Sequence, residues 1–71
     1  MEVHVTTRDK LMRAWQNSME LTRDYEIWSK EIKDHSVAKV FARFAEEESR
    51  HAARFREMLC EDQQRGGDVI G

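Results

Sequence analysis

Apolar residues recur every three or four positions through two long stretches of the chain, and a short polar break separates the stretches. The first runs from Leu11 to Ile32 and the second from Val37 to Leu59. This spacing places apolar side chains on one face of an α-helix. The pattern therefore predicts two amphipathic helices, the first over about 7–33 and the second over about 36–65.

Polar residues at the ends of both stretches are of the kinds that begin and end helices. Thr6 and Asp9 have the spacing of a capping box. Either Asp34 or Ser36 can accept the free amide protons at the start of the second helix. A glycine pair beginning at Gly66 provides a C-terminal stop. The sequence thus predicts both helix starts and the second helix end.

Two helices of this length, joined by a turn of a few residues, must lie antiparallel. We expect a flexible lead over 1–5, a helical hairpin over 6–65 and a flexible tail over 66–71. A hairpin leaves one side of its apolar seam open, and 71 residues are few for a self-sufficient core. The predicted fold class is all-α, an antiparallel two-helix hairpin that forms a homodimeric four-helix bundle or a higher homo-oligomer.

Composition and charge exclude several classes of partner. The chain has 12 Lys and Arg against 14 Asp and Glu, with both signs interspersed, so we expect no nucleic-acid partner. It has no apolar run of about 18 residues and no signal-peptide layout, so we expect no membrane insertion and a cytoplasmic location. Its single cysteine, Cys60, excludes an intrachain disulfide and a thiolate metal cluster built from this chain alone.

Two ionisable residues fall within the apolar face of the second helix. At about 100° per residue with Val37 at 0°, Phe55 lies at about 0° and Phe44 at about 340°. Glu48 falls at about 20° and His51 at about 320°, within the same arc. A carboxylate among apolar side chains is costly unless it is protonated, paired or bound to a metal. Glu48 and His51 are therefore candidate metal ligands.

The spacing Glu-x-x-His puts a carboxylate and an imidazole one turn apart, where both can hold one metal ion. Oxygen and nitrogen donors without thiolates suit iron, with manganese or zinc as alternatives. The two-fold axis of a dimer would bring a second Glu48 and His51 alongside the first. The alternative interpretation is structural, a buried hydrogen-bonded pair assisted by Arg43 or Arg54.

The run Val37-Ala38-Lys39-Val40-Phe41-Ala42-Arg43-Phe44-Ala45-Glu46-Glu47-Glu48-Ser49-Arg50-His51-Ala52 resembles the ligand helix of rubrerythrins and encapsulated ferritins. Tyr25, twelve residues before Val37, falls where those families place an aromatic residue. The resemblance covers roughly residues 12–60 without a gap. It implies a ferritin-like diiron carboxylate protein whose hairpins complete their metal centre only by pairing.

The sequence departs from that family pattern at one position of the first helix. The families carry a glutamate ligand seven residues before the aromatic, and here that position is Ser18. Glu20 is close in sequence but about 200° around the helix from Ser18. Glu26 lies on the apolar side, two turns nearer the hairpin turn than Ser18. Both Glu26 and Glu20 are candidate replacements for the missing ligand.

The leading functional hypothesis is a ferritin-like protein that binds iron between paired hairpins and oxidises or sequesters ferrous iron. The enzyme class implied by the resemblance is a ferroxidase-type diiron oxidoreductase, although Ser18 leaves oxidase activity open. The alternative is a degenerate ferritin-like hairpin that acts as a non-enzymatic dimerisation or adaptor module. Rubrerythrin-like peroxide reduction would need a separate reductant. A protein shell is a further candidate partner, docked by a tail containing Val69 and Ile70.

Overall fold

Thr6 and Asp9 form the capping box that the sequence predicts. In the computed structural model, which describes residues 5–64, the Thr6 hydroxyl accepts from the Asp9 amide at 3.0 Å and the Asp9 carboxylate accepts from the Thr6 amide at 3.2 Å. Helix α1 then spans Thr7–Glu31. It ends because Ile32 adopts extended dihedrals, φ −69° and ψ 126°, although its amide still donates to the Trp28 carbonyl at 2.9 Å.

Asp34 starts the second helix. One oxygen of its carboxylate, Oδ1, accepts from the amides of Ser36 at 2.9 Å and Val37 at 3.2 Å. Of the two candidate caps, the structure therefore uses Asp34. Helix α2 spans His35–Gln64, and residues 32–34 are all that separate it from α1. Two antiparallel helices packed side by side confirm the predicted all-α hairpin.

Small side chains form the buried seam between the helices. Ser18 of α1 is only 5% exposed, and the buried apolar residues of α2 are Ala45, Ala52 and Leu59. These three α2 residues are seven positions apart, the spacing of one stripe along a helix that packs against a single neighbour. Ser18, Ala45 and Ala52 are small, and small side chains let the two helix backbones approach closely.

Aromatic rings fill the seam near the turn. The Tyr25 ring lies 5.6 Å from that of Phe41 and 6.5 Å from that of Phe44, measured between centroids. The Trp28 ring meets Phe41 edge to face at 5.9 Å. Such pairs are each worth about 0.5–1.5 kcal/mol beyond the area they bury. These ring contacts therefore stabilise the packing of the two helices near the turn.

An ion pair joins the helices at the opposite end. Arg8 of α1 places Nη1 3.4 Å from Oδ2 of Asp62 in α2. The Asp62 side chain is 2% exposed, and its other oxygen, Oδ1, has no hydrogen-bond partner. Leaving a buried acceptor unsatisfied costs about 1–3 kcal/mol. The Arg8–Asp62 ion pair thus holds the two helices together at the end away from the turn, while one carboxylate oxygen of Asp62 still lacks a hydrogen bond.

Apolar side chains stay exposed on more than one side of the hairpin: Met19, 49% exposed, lines a groove with Ala52, and a larger group lies on the flank of Phe44. We call this flank the open face and define it by Trp28, Val37, Val40 and Phe44, which are between 40% and 44% exposed. The sequence predicts the α2 members of this set as core. A single neighbouring helix covers only part of the apolar arc of α2, so the remainder faces outward.

Within residues 5–64 the chain contains no strand, and neither helix has an apolar stretch suited to crossing a lipid bilayer. The predicted lead up to residue 4, the glycine stop and the tail over 66–71 lie outside the described residues.

Candidate metal centre

Glu48 and His51 face each other on the same side of α2. Oε2 of Glu48 lies 3.4 Å from Nδ1 of His51, one helical turn further along the chain. The Glu48 side chain is 21% exposed and that of His51 is 60% exposed. The carboxylate therefore lies at the edge of the seam between the helices, and the imidazole lies further out, toward solvent.

The pair borders the open face. Phe44 comes one turn before Glu48 on the same arc of α2, and its ring contacts Tyr25 of α1. On the side nearer the turn, the Glu48–His51 pair is thus bordered by aromatic and apolar side chains. A second hairpin laid on the open face would cover the imidazole of His51 as well, because His51 lies on the same flank as Phe44, seven residues further on.

The chemistry of the two donor atoms fits a divalent metal. Carboxylate oxygen and imidazole nitrogen each bind such ions at about 2.0–2.2 Å, so two donors 3.4 Å apart can share one ion. In residues 5–64 no group of three or more His, Cys, Asp and Glu side chains is close enough to hold an ion. One hairpin therefore supplies two donors at this site, fewer than the three or four that a stable metal site uses.

Ser18, at the position of the missing family ligand, is buried in the seam. Trp15 and Met19, on either side of it in sequence, line a groove together with Ala52. Ser18 is therefore level with the C-terminal side of His51. Its carbonyl accepts from the hydroxyl of Thr22 at 2.7 Å. No charged donor comes from α1 at this position.

Neither candidate replacement reaches the pair within one hairpin. Glu26 lines a groove with Ala42 and Ser49, and Ala42 is nine residues before His51, about 180° around α2. Glu26 thus lies on the flank opposite the open face. Glu20 is exposed on the outer side of α1. The assignment of either residue as a ligand stays a prediction that a second hairpin would have to fulfil.

Two other carboxylates of α2 are withdrawn from solvent. Asp62 is buried, and its position could have been read from the sequence, because it follows Glu48 by fourteen residues and falls at about 340° on the same wheel. Glu47 is half-buried. Asp62 pairs with Arg8 and so belongs to the hairpin's own packing, away from the Glu48–His51 pair.

Ferritin-like bundles carry a Glu-x-x-His pair of this spacing on antiparallel helices. The family model named Rubrerythrin matches residues 9–68, and the chain belongs to the rubrerythrin family. The resemblance seen in the second helix is thereby confirmed. Comparison with curated proteins and with solved structures found no significant match.

Proposed function

We propose that this protein binds iron between paired hairpins and oxidises or sequesters ferrous iron there. The observation that carries the proposal is the Glu48–His51 pair, with Oε2 and Nδ1 3.4 Å apart beside an uncovered apolar face. Membership of the rubrerythrin family supports iron over manganese and zinc. The donor set itself accepts all three metals.

Pairing is the first step of the proposal. Trp28, Val37, Val40 and Phe44 of the open face each keep between 40% and 44% of their surface exposed. Covering the exposed part of one such side chain is worth roughly 1 kcal/mol, and a two-fold interface contains each residue twice. We propose that a second copy of the same chain docks on the open face, because only that partner brings a second Glu48 and His51 to the site.

Each residue of the pair has a distinct role. Glu48 supplies negative charge at the edge of the seam, which offsets the cost of placing a cation beside apolar side chains. His51 presents Nδ1, which must be unprotonated to bind. The neighbouring aromatic rings exclude water from one side. Bound ferrous iron supplies the electron that an oxidant removes.

Equilibrium dialysis of the purified full chain against anaerobic ferrous iron tests the proposal. Iron retained by the wild type and lost in Glu48→Gln would support it, and Glu57→Gln is a matched control on an exposed carboxylate. Subsequent admission of oxygen, with ferric iron followed by near-ultraviolet absorbance, separates oxidation from sequestration. A wild type that retains no iron would rule out both.

A second candidate function is a non-enzymatic dimerisation or adaptor module. Ser18 favours it, because the first helix contributes no carboxylate beside the pair and its small side chain is 5% exposed in the seam. In that case Glu48 and His51 are polar side chains at an interface. Replacing both with leucine would then raise the melting temperature, and adding metal would leave the wild type unchanged.

A further inference from the structure

The helix contacts fix which α1 residues lie beside the Glu48–His51 pair. Tyr25 packs on Phe44, and Met19 shares a groove with Ala52. Because the helices are antiparallel, residues 48–51 of α2 lie between these two levels. Between Met19 and Tyr25, Leu21 and Thr22 are half-buried, with buried Ser18 just beyond. Asp24 is half-buried too, but within residues 5–64 it forms no three-donor group with the pair.

None of these neighbours adds a charged donor to the pair. Leu21 is apolar, and the Thr22 hydroxyl donates to the carbonyl of Ser18 within its own helix. Ser18 itself is in the seam. Glu20 is exposed on the outer side of α1, and Glu26 faces the opposite groove. In the described part of the chain no α1 carboxylate, half-buried Asp24 included, joins Glu48 and His51 in a three-donor group.

From this donor count we propose that a pair of hairpins holds one divalent ion, bound by Glu48 and His51 of each chain. This inference rests on the proposed iron-binding function and specifies its stoichiometry. Two carboxylates and two imidazoles supply four protein donors, as many as a stable site for a single ion uses. A second ion would have to be held by water and by carboxylates that the hairpin directs away from the site.

The stoichiometry decides between the two activities in the proposed function. Reduction of one oxygen molecule at a paired-metal site depends on two ions held a few ångströms apart. One ion per pair supports retention and transfer of ferrous iron, with slow oxidation. The substrate class is then a single divalent cation that accepts mixed nitrogen and oxygen donors, and Ser18 is the residue that limits capacity.

Native mass spectrometry of the full chain, loaded anaerobically with ferrous iron, tests this inference because one spectrum counts chains and ions together. The expected species is a dimer with one iron, or one iron for every two chains in a larger oligomer. Two irons per dimer would overturn the inference and leave the proposed function intact. A dimer without iron, or a metal-free monomer, would overturn both.

Three variants sharpen the result. Ser18→Glu adds a carboxylate at the buried α1 position just beyond the level of the pair, and the expected dimer holds two irons; if this variant does not fold, the wild-type count still decides. Gln16→Glu is the control, since it adds the same charge at an exposed position of α1 and should leave the number of irons per dimer at one.

Glu47→Gln tests whether another carboxylate of α2 contributes, and it should also leave one iron per dimer. A wild-type count of two that falls to one in Glu47→Gln would assign half-buried Glu47 as a third donor and overturn the inference.

Discussion

Nδ1 of His51 lies 3.4 Å from Oε2 of Glu48, and the side chain of His51 is nearly three times as exposed as that of Glu48. The helix therefore holds the two side chains together, with Glu48 at the edge of the seam and His51 largely exposed to solvent. An ion bound by both would link the partly buried carboxylate to the exposed imidazole. This relationship makes the pair sensitive both to metal and to whatever lies on the open face.

The first prediction concerns metal-dependent stability. With free ferrous iron at about 100 times its Kd, binding to the folded state should add about 2.7 kcal/mol, a rise in Tm on the order of 10 °C. Glu48→Gln and His51→Ala should each abolish most of this rise, because each removes one of the two donors per chain. Thermal unfolding by circular dichroism, run anaerobically with and without iron, measures it.

The control for that prediction is Glu57→Gln, which removes an exposed carboxylate paired with Arg54. Its iron-dependent rise should equal that of the wild type. If Glu48→Gln gained as much stability from iron as the wild type, the ion would be bound elsewhere on the chain.

A second prediction concerns the open face. Phe44→Asp places a charge where we expect a second hairpin to dock, and a two-fold interface feels the change twice. Loss of the burial of the exposed part of both phenyl rings is worth roughly 2 kcal/mol across the dimer, so association should weaken about thirtyfold or more. Sedimentation velocity over a range of concentrations measures the shift toward single chains.

Ile27→Asp provides a matched comparison, because Ile27 is 46% exposed against 44% for Phe44 but lies on the outer side of α1. It should leave the dimer intact. Dissociation by Ile27→Asp with none by Phe44→Asp would place the interface on the other side of the molecule.

The third prediction concerns the ion pair at the open end. Arg8→Ala should destabilise the protein by roughly 1–3 kcal/mol, less than the 3–5 kcal/mol of a fully buried pair because the Arg8 side chain is 28% exposed. The cost arises because the Asp62 carboxylate, already lacking one partner, then loses the other. Urea unfolding measures the change.

Arg50→Ala is the reference for that measurement, since Arg50 pairs with Glu46 at 3.9 Å in an exposed i,i+4 arrangement. It should cost no more than about 0.5 kcal/mol. The double variant Arg8→Met with Asp62→Leu should recover stability relative to Arg8→Ala, because it removes both buried charges. A double variant less stable than Arg8→Ala would mean that the pair contributes net stability.

The fourth prediction concerns the turn. Asp34→Ala removes the carboxylate that accepts from the amides of Ser36 and Val37, and should cost about 1 kcal/mol, or about 4–8 °C in Tm. Ser36→Ala should cost much less, because Ser36 is not the cap in the structure. Thermal melts of both variants measure the difference, and equal losses would show that the serine hydroxyl also caps α2.

The helix ends could be predicted from the sequence because short-range hydrogen bonds determine them. Thr6, Asp9 and Asp34 cap helices through contacts within three residues, so their roles depend on nothing distant. The proximity of Glu48 and His51 follows in the same way from their spacing within one helix. Features of this kind require only the helix itself.

Other features depend on how far each helix is rotated against its neighbour, which one helical wheel does not contain. Packing of Ser18 close to the alanines of α2 directs Glu26 into one groove and His51 onto the opposite flank. The same rotation leaves Phe44 uncovered in one hairpin, although its wheel position marks it as core. Asp62 was missed because a carboxylate in the last turn of a helix is ordinarily solvated.

The spacing of the buried α2 residues also bears on the shape of any larger assembly. Ala45, Ala52 and Leu59 recur every seven residues, slightly short of two full turns at 3.6 residues per turn. A stripe of this period stays against its neighbour only if the helices wind around each other with a left-handed supercoil. Helices packed in this way cross at about 20° and stay in contact along their length as they wind around each other. A second hairpin that followed the same winding would contact the open face at many levels, so substitutions should be tolerated equally poorly along the whole of that face.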